Sequence, residues 1–152
     1  MDKAEALKKL QRYCAYQDRC HQEVRYKLLN LGVQGYDLED IMAELISDKF
    51  LDEERYAKSF VRGKFRIKKW GRIKIKQELK RKHISDYCMK SGLKEITETE
   101  YIETLREVLE RKDRTLREPN TYKRNSKLAQ HAIRRGFESH LVWQILKEED
   151  FE

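Results

Sequence analysis

Little in this sequence would interrupt a helix: its 152 residues include one proline and six glycines. These two residues punctuate regular structure most strongly, so their scarcity predicts long helices joined by short turns. Runs of β-branched residues with alternating polarity are missing, which argues against a sheet-based fold. Lys, Arg, Glu and Leu are abundant instead, and such straight side chains lose little rotamer freedom in a helix. The predicted fold class is all-α. No apolar stretch approaches the roughly 18 residues needed to span a membrane, and Met1-Asp2-Lys3-Ala4-Glu5 does not read as a secretory leader. A soluble, cytoplasmic protein without membrane contact is expected.

Cysteine is scarce and odd in number: Cys14, Cys20 and Cys88 form no disulfide-like pattern, as in a reducing compartment. Cys14, Cys20 and His21 are conceivable metal ligands, but their spacing fits no common zinc signature and no second pair follows. Free thiols and no metal are the expectation. Catalytic constellations are lacking too. Gly32 and Gly35 are isolated, with no following Gly-Lys-Ser/Thr to cradle a phosphate. The histidines, His21, His83, His131 and His140, lie in charged helical contexts without ligand spacing. A nuclease would need several carboxylates to hold Mg²⁺ near its substrate. The sequence predicts no enzyme and no cofactor.

Acidic residues are absent from one place where they matter. Residues 1–61 carry 10 Lys/Arg against 12 Asp/Glu, and residues 83–152 carry 13 against 14. Residues 62–82 carry 11 Lys/Arg against the single Glu78, so this stretch supplies the whole net charge of +7. A milder basic run follows at 111–135, with nine Lys/Arg against Asp113 and Glu118. A solvated helix face is the ordinary reading when acids alternate with bases. Without local acids, like charges repel unless a polyanion screens them, and nucleic-acid contact becomes the stronger reading. The candidate nucleic-acid-binding residues are Arg62, Lys64, Arg66, Lys68, Lys69, Arg72, Lys74, Lys76, Lys80, Arg81 and Lys82, with Lys123, Arg124, Arg134 and Arg135 from the second run.

Capping signals and apolar spacing predict nine helices. Asp2 with Glu5 opens one to about Ala15; others cover about His21–Leu31 and Asp37–Asp48. Asp52 caps a long helix through about Lys69, with Ala57, Phe60, Val61 and Phe65 inward. After Gly71 comes a helix with Ile75 and Leu79 inward, then a short one from about Ser85. Thr97 and Glu100 cap a helix with Ile102, Leu105, Val108 and Leu109 on one stripe. Pro119 breaks the chain, and helices follow near Arg124–Arg135 and Ser139–Glu148.

A repeat underlies them. Val33, Ile84 and Phe137 stand 51 and 53 residues apart. Nine positions before them stand Val24, Ile75 and Leu128, and five before stand Leu28, Leu79 and Ala132. Five after stand Leu38, Met89 and Val142; nine after stand Met42, Leu93 and Leu146. Immediately before each anchor stand Gly32, His83 and Gly136, where a helix should end. The expectation is three tandem three-helix repeats in an elongated array, at 1–50, 51–96 and 97–152, each too small to bury a large core alone. Among aromatics, Tyr13, Tyr16 and Tyr26 read as semi-buried and Trp143 as core. Trp70, within the basic stretch, fits packing at a helix junction; stacking on an exposed base is the alternative.

The segment Leu51-Asp52-Glu53-Glu54-Arg55-Tyr56-Ala57 with Ser59-Phe60-Val61 resembles the hallmark of the RecX family, where an Asp-capped long helix opens the second repeat. Trp70-Gly71-Arg72-Ile73 with Glu78-Leu79 is similar to that family's Gly-x-x-x-Ile-x-x-x-Leu region, and Arg134-Arg135-Gly136-Phe137 to its third-repeat turn. The resemblance spans essentially the whole chain, with two departures: His83 stands where Gly is usual, and Cys20 where Ser would cap a helix. It implies a monomeric modulator that binds along the groove of the RecA nucleoprotein filament and restrains strand exchange, ATP hydrolysis and coprotease activity, in homologous recombination, DNA repair and the SOS response. Single- and double-stranded DNA would be met through the basic stretch. Two other readings compete: a freestanding helix-turn-helix DNA binder, and a protein scaffold whose basic run only solubilises it.

Overall fold

The structure, a computed structural model, describes residues 1–148; the last four residues of the third predicted repeat, 149–152, lie outside the described residues. Every regular element among the described residues is an α-helix. In chain order these are α1 Lys3–Tyr16, α2 His21–Asn30, α3 Gly35–Ser47, α4 Glu53–Arg66, α5 Arg72–Arg81, α6 Asp86–Leu93, α7 Glu98–Thr115, α8 Thr121–Arg134 and α9 Ser139–Glu148. The predicted caps are in place. Asp2 Oδ1 accepts from the Glu5 amide at 2.8 Å, Asp52 Oδ1 from Arg55 at 3.0 Å, and Thr97 Oγ1 from Glu100 at 3.1 Å. Each satisfies one of the amides a helix start leaves without an intrahelical acceptor.

Bounds differ from the sequence expectation in three places. α3 begins at Gly35, two residues early. α8 begins at Thr121, because Asn120 caps it by accepting from the Lys123 amide at 2.9 Å. α4 stops at Arg66 rather than Lys69: Lys69 takes a left-handed φ of 56°, and the Trp70 amide folds back onto the Lys64 carbonyl at 3.0 Å. At Cys20 the missing serine is partly replaced. Glu23 accepts from both the Cys20 amide and the Cys20 thiol, each at 3.2 Å, and burial pushes the thiol up to about 11.

The three anchor turns share one geometry. Gly32, His83 and Gly136 have φ of 82°, 59° and 100°. The anchor amides of Val33, Ile84 and Phe137 bond the carbonyls of Leu28, Leu79 and Ala132 at 2.9, 3.1 and 3.2 Å. The residue before each bonds back to Leu29, Lys80 and Ile133 at 3.0, 3.0 and 2.9 Å. This paired closure through a left-handed residue is the Schellman helix stop, in which an apolar residue just past the turn packs against the last helical turn. Of the apolar positions in the repeat register, all are buried except Leu93, which is half-buried. The fold is an all-helical repeat array.

By contact density the chain divides into two compact units: Met1–Phe60 with Leu79–Gly92, and Val61–Glu78 with the chain from Leu93 on. In the first, α1, α2 and α3 enclose Ala6, Leu10, Leu28, Ile41 and Leu45, all fully buried. In the second, Phe65, Tyr101 and Phe137 form an aromatic series with centroids 5.8 and 5.2 Å apart. Tyr101 here fills the inward position that the sequence pattern assigns to Ile102, which is half-buried. Phe60 and Trp143 are half-buried rather than core, and Tyr16 and Tyr26 are 83% and 60% exposed, against the semi-buried expectation. Both tyrosines fall outside the buried stripes of α1 and α2.

Candidate nucleic-acid and partner interface

The basic stretch runs from the second half of α4, through a turn at 67–71, to the end of α5. Its cations divide into two populations. Arg62 pairs with Glu95 at 2.5 Å, Arg66 with Glu100 at 3.1 Å and Lys69 with Glu107 at 3.3 Å. Arg72 reaches Glu98 at 2.5 Å and Glu138 at 3.0 Å. Burial pulls the Arg72 pKa down, but its hydrogen bonds to Glu138 and Glu98 outweigh that and leave it raised. Apart from Glu138, the acids that the stretch lacks locally come from the next segment, where residues 95–110 hold six Glu against Arg106. That imbalance was the signal in the sequence; a charge count confined to 62–82 passes over it.

The turn itself is held from several sides. Arg135 donates through Nε to the Lys69 carbonyl at 3.3 Å and through Nη2 to the Lys68 carbonyl. The Gly71 amide donates to the Arg135 carbonyl at 2.7 Å, and the Ile73 amide to the Gly136 carbonyl at 3.0 Å. A Cβ on Gly71 would stand 2.2 Å from the Gly136 carbonyl carbon, so no other residue fits that approach. The Arg72 amide, at the start of α5, donates to the Tyr101 hydroxyl at 3.0 Å, which donates in turn to Glu138. Burial first, and the Glu138 bond second, push the Tyr101 pKa far above its ordinary value, so the phenol remains a donor. The Arg72 guanidinium lies 3.7 Å from the Tyr101 ring centroid. Sequence reasoning missed Tyr101, Glu98, Glu100, Glu107 and Glu138, since none lies in the basic runs.

Trp70 is half-buried on this turn, with Lys74 Nζ 4.4 Å and Lys64 Nζ 4.9 Å from its ring centroid. Lys68 is exposed beside it, and along α5 Lys76 and Lys80 are exposed one helical turn apart, on a face flanking the buried Ile75 and Leu79. Arg81 is exposed as well. Lys82 is half-buried and, with His21, Gln22, Arg25, Tyr26, Glu53 and His83, lines a groove of about 430 Å³ in the first unit. In the second basic run, Arg124 sits 3.2 Å from Asp113, with its buried Nε aligned too poorly to donate. Lys123 and Arg134 are exposed at opposite ends of α8. Thus Lys68, Lys76, Lys80, Lys123 and Arg134 face solvent, whereas Arg62, Arg66, Lys69, Arg72, Arg124 and Arg135 are engaged by acids or carbonyls of the same chain, Arg66 while still exposed.

Among the described residues no group of three or more His, Cys, Asp or Glu is arranged to hold a metal ion, and no helix is long and apolar enough to cross a membrane. Two family models match the chain: RecX, second three-helix domain, over residues 52–93, and RecX, third three-helix domain, over residues 98–146. A curated protein named Regulatory protein RecX, from Prosthecochloris aestuarii, is 28% identical over 97% of this chain and 95% of its own length. A second of that name, from Bacillus cytotoxicus, is 26% identical over 90% of this chain, which spans about half of that longer relative. A crystal structure described as regulatory protein RecX superposes with a TM-score of 0.86 at 25% identity, covering 97% of this chain and 73% of that one. The chain belongs to the RecX family of regulatory proteins.

Proposed function

We propose that this protein regulates the recombinase RecA, chiefly by restraint, by binding along the RecA–DNA filament and modulating ATP hydrolysis, strand exchange and coprotease activity. It acts as a monomer, without chemistry of its own, in recombination and DNA repair. Three repeat units, at 1–50, 51–96 and 97–152, provide the frame. The observation that carries the reading is the set of cations left facing solvent after internal pairing. On α5, Lys76 and Lys80 lie side by side with no acid between them on that face. Adjacent like charges on a helix cost a few tenths of a kcal/mol, a cost that a phosphate backbone reverses.

A freestanding DNA binder is the second reading, favoured by the three-helix units with tight turns. The exposed cations are mostly lysines, which suit phosphate contact more than base reading. The separating experiment is capture on RecA filaments assembled on immobilised single-stranded DNA, beside the same DNA left bare. A filament regulator is retained more strongly by the filament at moderate salt. Equal or weaker retention than on bare DNA would favour the freestanding binder. Arg134→Glu serves as the partner-surface variant. Arg135 does not, because its guanidinium holds the 68–69 turn and its loss would disturb the fold.

A further inference from the structure

The turn at 67–71 combines features that a packing role alone does not require. Trp70 is only half-buried although the aromatic core of the same unit is close in sequence, with Phe65 five residues earlier at 1% exposure. Two ammonium groups, of Lys64 and Lys74, lie over its ring. Lys68 and Ile67 are exposed on the same turn, Ile67 at 78%. A single exposed apolar side chain is ordinary, but here Ile67 and the open part of the Trp70 ring share one short turn with Lys68 and Lys69. The backbone beneath is fixed by the Arg135 clamp on the Lys68 and Lys69 carbonyls and by the Gly71 amide on Arg135. Lys69 itself is kept in a left-handed conformation, a strain that surrounding contacts must hold in place. The indole is therefore displayed on a rigid support, which limits the entropy lost when it is covered.

We infer that Trp70 is a stacking platform for an unpaired nucleobase, and that this surface prefers single-stranded nucleic acid to duplex. The inference rests on the DNA-contact reading above and deepens it. Every base has a π-face, but a duplex hides it within the stack, so an indole beside cations selects strands whose bases can turn outward. An ammonium resting on a ring face is held weakly near water and exchanges readily for a phosphate oxygen. Lys74 and Lys64 thus shield the ring in the free protein. When a strand arrives Lys74 follows its phosphates, and a base takes its place on the indole. Ile67 offers an apolar neighbour for the sugar or the adjacent base.

The chain contains two tryptophans, so Trp143→Phe in the full-length protein leaves Trp70 as the sole indole reporter. The test titrates this variant with oligo-dT of about 20 nucleotides and with a duplex of equal length, following indole emission and the anisotropy of labelled DNA. Stacking predicts saturable quenching by oligo-dT and little by duplex. Trp70→Leu should weaken oligo-dT binding about tenfold, Trp70→Phe less, and neither should change duplex affinity by more than about twofold. Circular dichroism of each variant checks that the helices persist; should Trp70→Leu unfold, the Trp70→Phe comparison and the quenching decide. Oligo-dT bound with unchanged Trp70 emission, or equal losses on both DNAs, would overturn the stacking inference and leave DNA contact standing. Equal quenching by oligo-glutamate would assign the surface to an acidic protein segment and overturn it also. If neither DNA binds even at low salt, the DNA-contact reading itself fails, and the stacking inference with it.

Discussion

Replacing Tyr101 with Phe isolates the contact that joins three parts of the second unit. The ring is retained, so packing against Phe65 and Phe137 and the cover of the Arg72 guanidinium survive. The hydroxyl is lost, and with it an acceptor for the Arg72 amide at 3.0 Å and a donor to Glu138. The first is a neutral bond worth about 1 kcal/mol, the second a bond to a carboxylate worth about 1.5–3 kcal/mol. Glu138 keeps Arg72 as a partner at 3.0 Å, so the carboxylate bond counts near the low end of its range. Tyr101 is fully buried, leaving the Arg72 amide little water to turn to. The expected destabilisation is about 2–3 kcal/mol, a fall in Tm of roughly 5–10 °C. Urea unfolding followed by circular dichroism measures it, and hydrogen exchange shows where it acts. Protection should drop at 71–73 and in α7, while α1–α3 stay as they were. A loss below about 0.5 kcal/mol, or one spread evenly over the chain, would refute this account of the junction.

His83 occupies a left-handed turn position that glycine fills in the other two repeats, so His83→Gly should raise stability by about 1 kcal/mol, read as a higher Tm. Changing the exposed Lys76 and Lys80 to Gln should weaken DNA binding on any sequence and flatten the log–log salt dependence by up to about one unit per lost phosphate contact, measured by filter binding at several salt concentrations. Burial, then the nearby Lys112, Arg135 and Arg134, holds the His131 pKa below its ordinary 6.5. The folded state therefore takes up its proton later than the unfolded chain as pH falls. The resulting stability is complete above the unfolded value and drains away as pH drops through the folded one. Urea midpoints compared between about pH 7.5 and pH 5.5 should fall less steeply in His131→Gln than in the parent chain.

The helices, their caps and the repeated turn were legible in the sequence because each is a local device. Asp52, Thr97 and the glycines at 32 and 136 act within a few residues of their partners. The repeat register needed only that one apolar position follow another by a fixed step. The bound of α4 was not legible, because Lys69 is no glycine and nothing local announces its left-handed turn. The division of the basic stretch was hidden for a different reason. Whether Arg62 or Lys76 remains available depends on where Glu95 and its neighbours fold, and that is long-range information. Tyr101 was missed on the same ground: its hydroxyl bridges Arg72 and Glu138, which lie 29 residues before and 37 residues after it. That Lys76 and Lys80 are basic is plain in the sequence; their exposure and their isolation from acids needed the fold.

The central claim is that RecA on DNA is the target, and hydrolysis of ATP by RecA on single-stranded DNA tests it most directly. A filament regulator acts on a shared assembly, so far fewer molecules than RecA protomers should slow hydrolysis. Added salt should weaken the effect as the exposed lysines are screened, and excess bare DNA should not abolish it. Inhibition that appears only when enough protein is present to cover the strand, and that disappears with excess DNA, would contradict the account and leave a protein that competes for DNA alone.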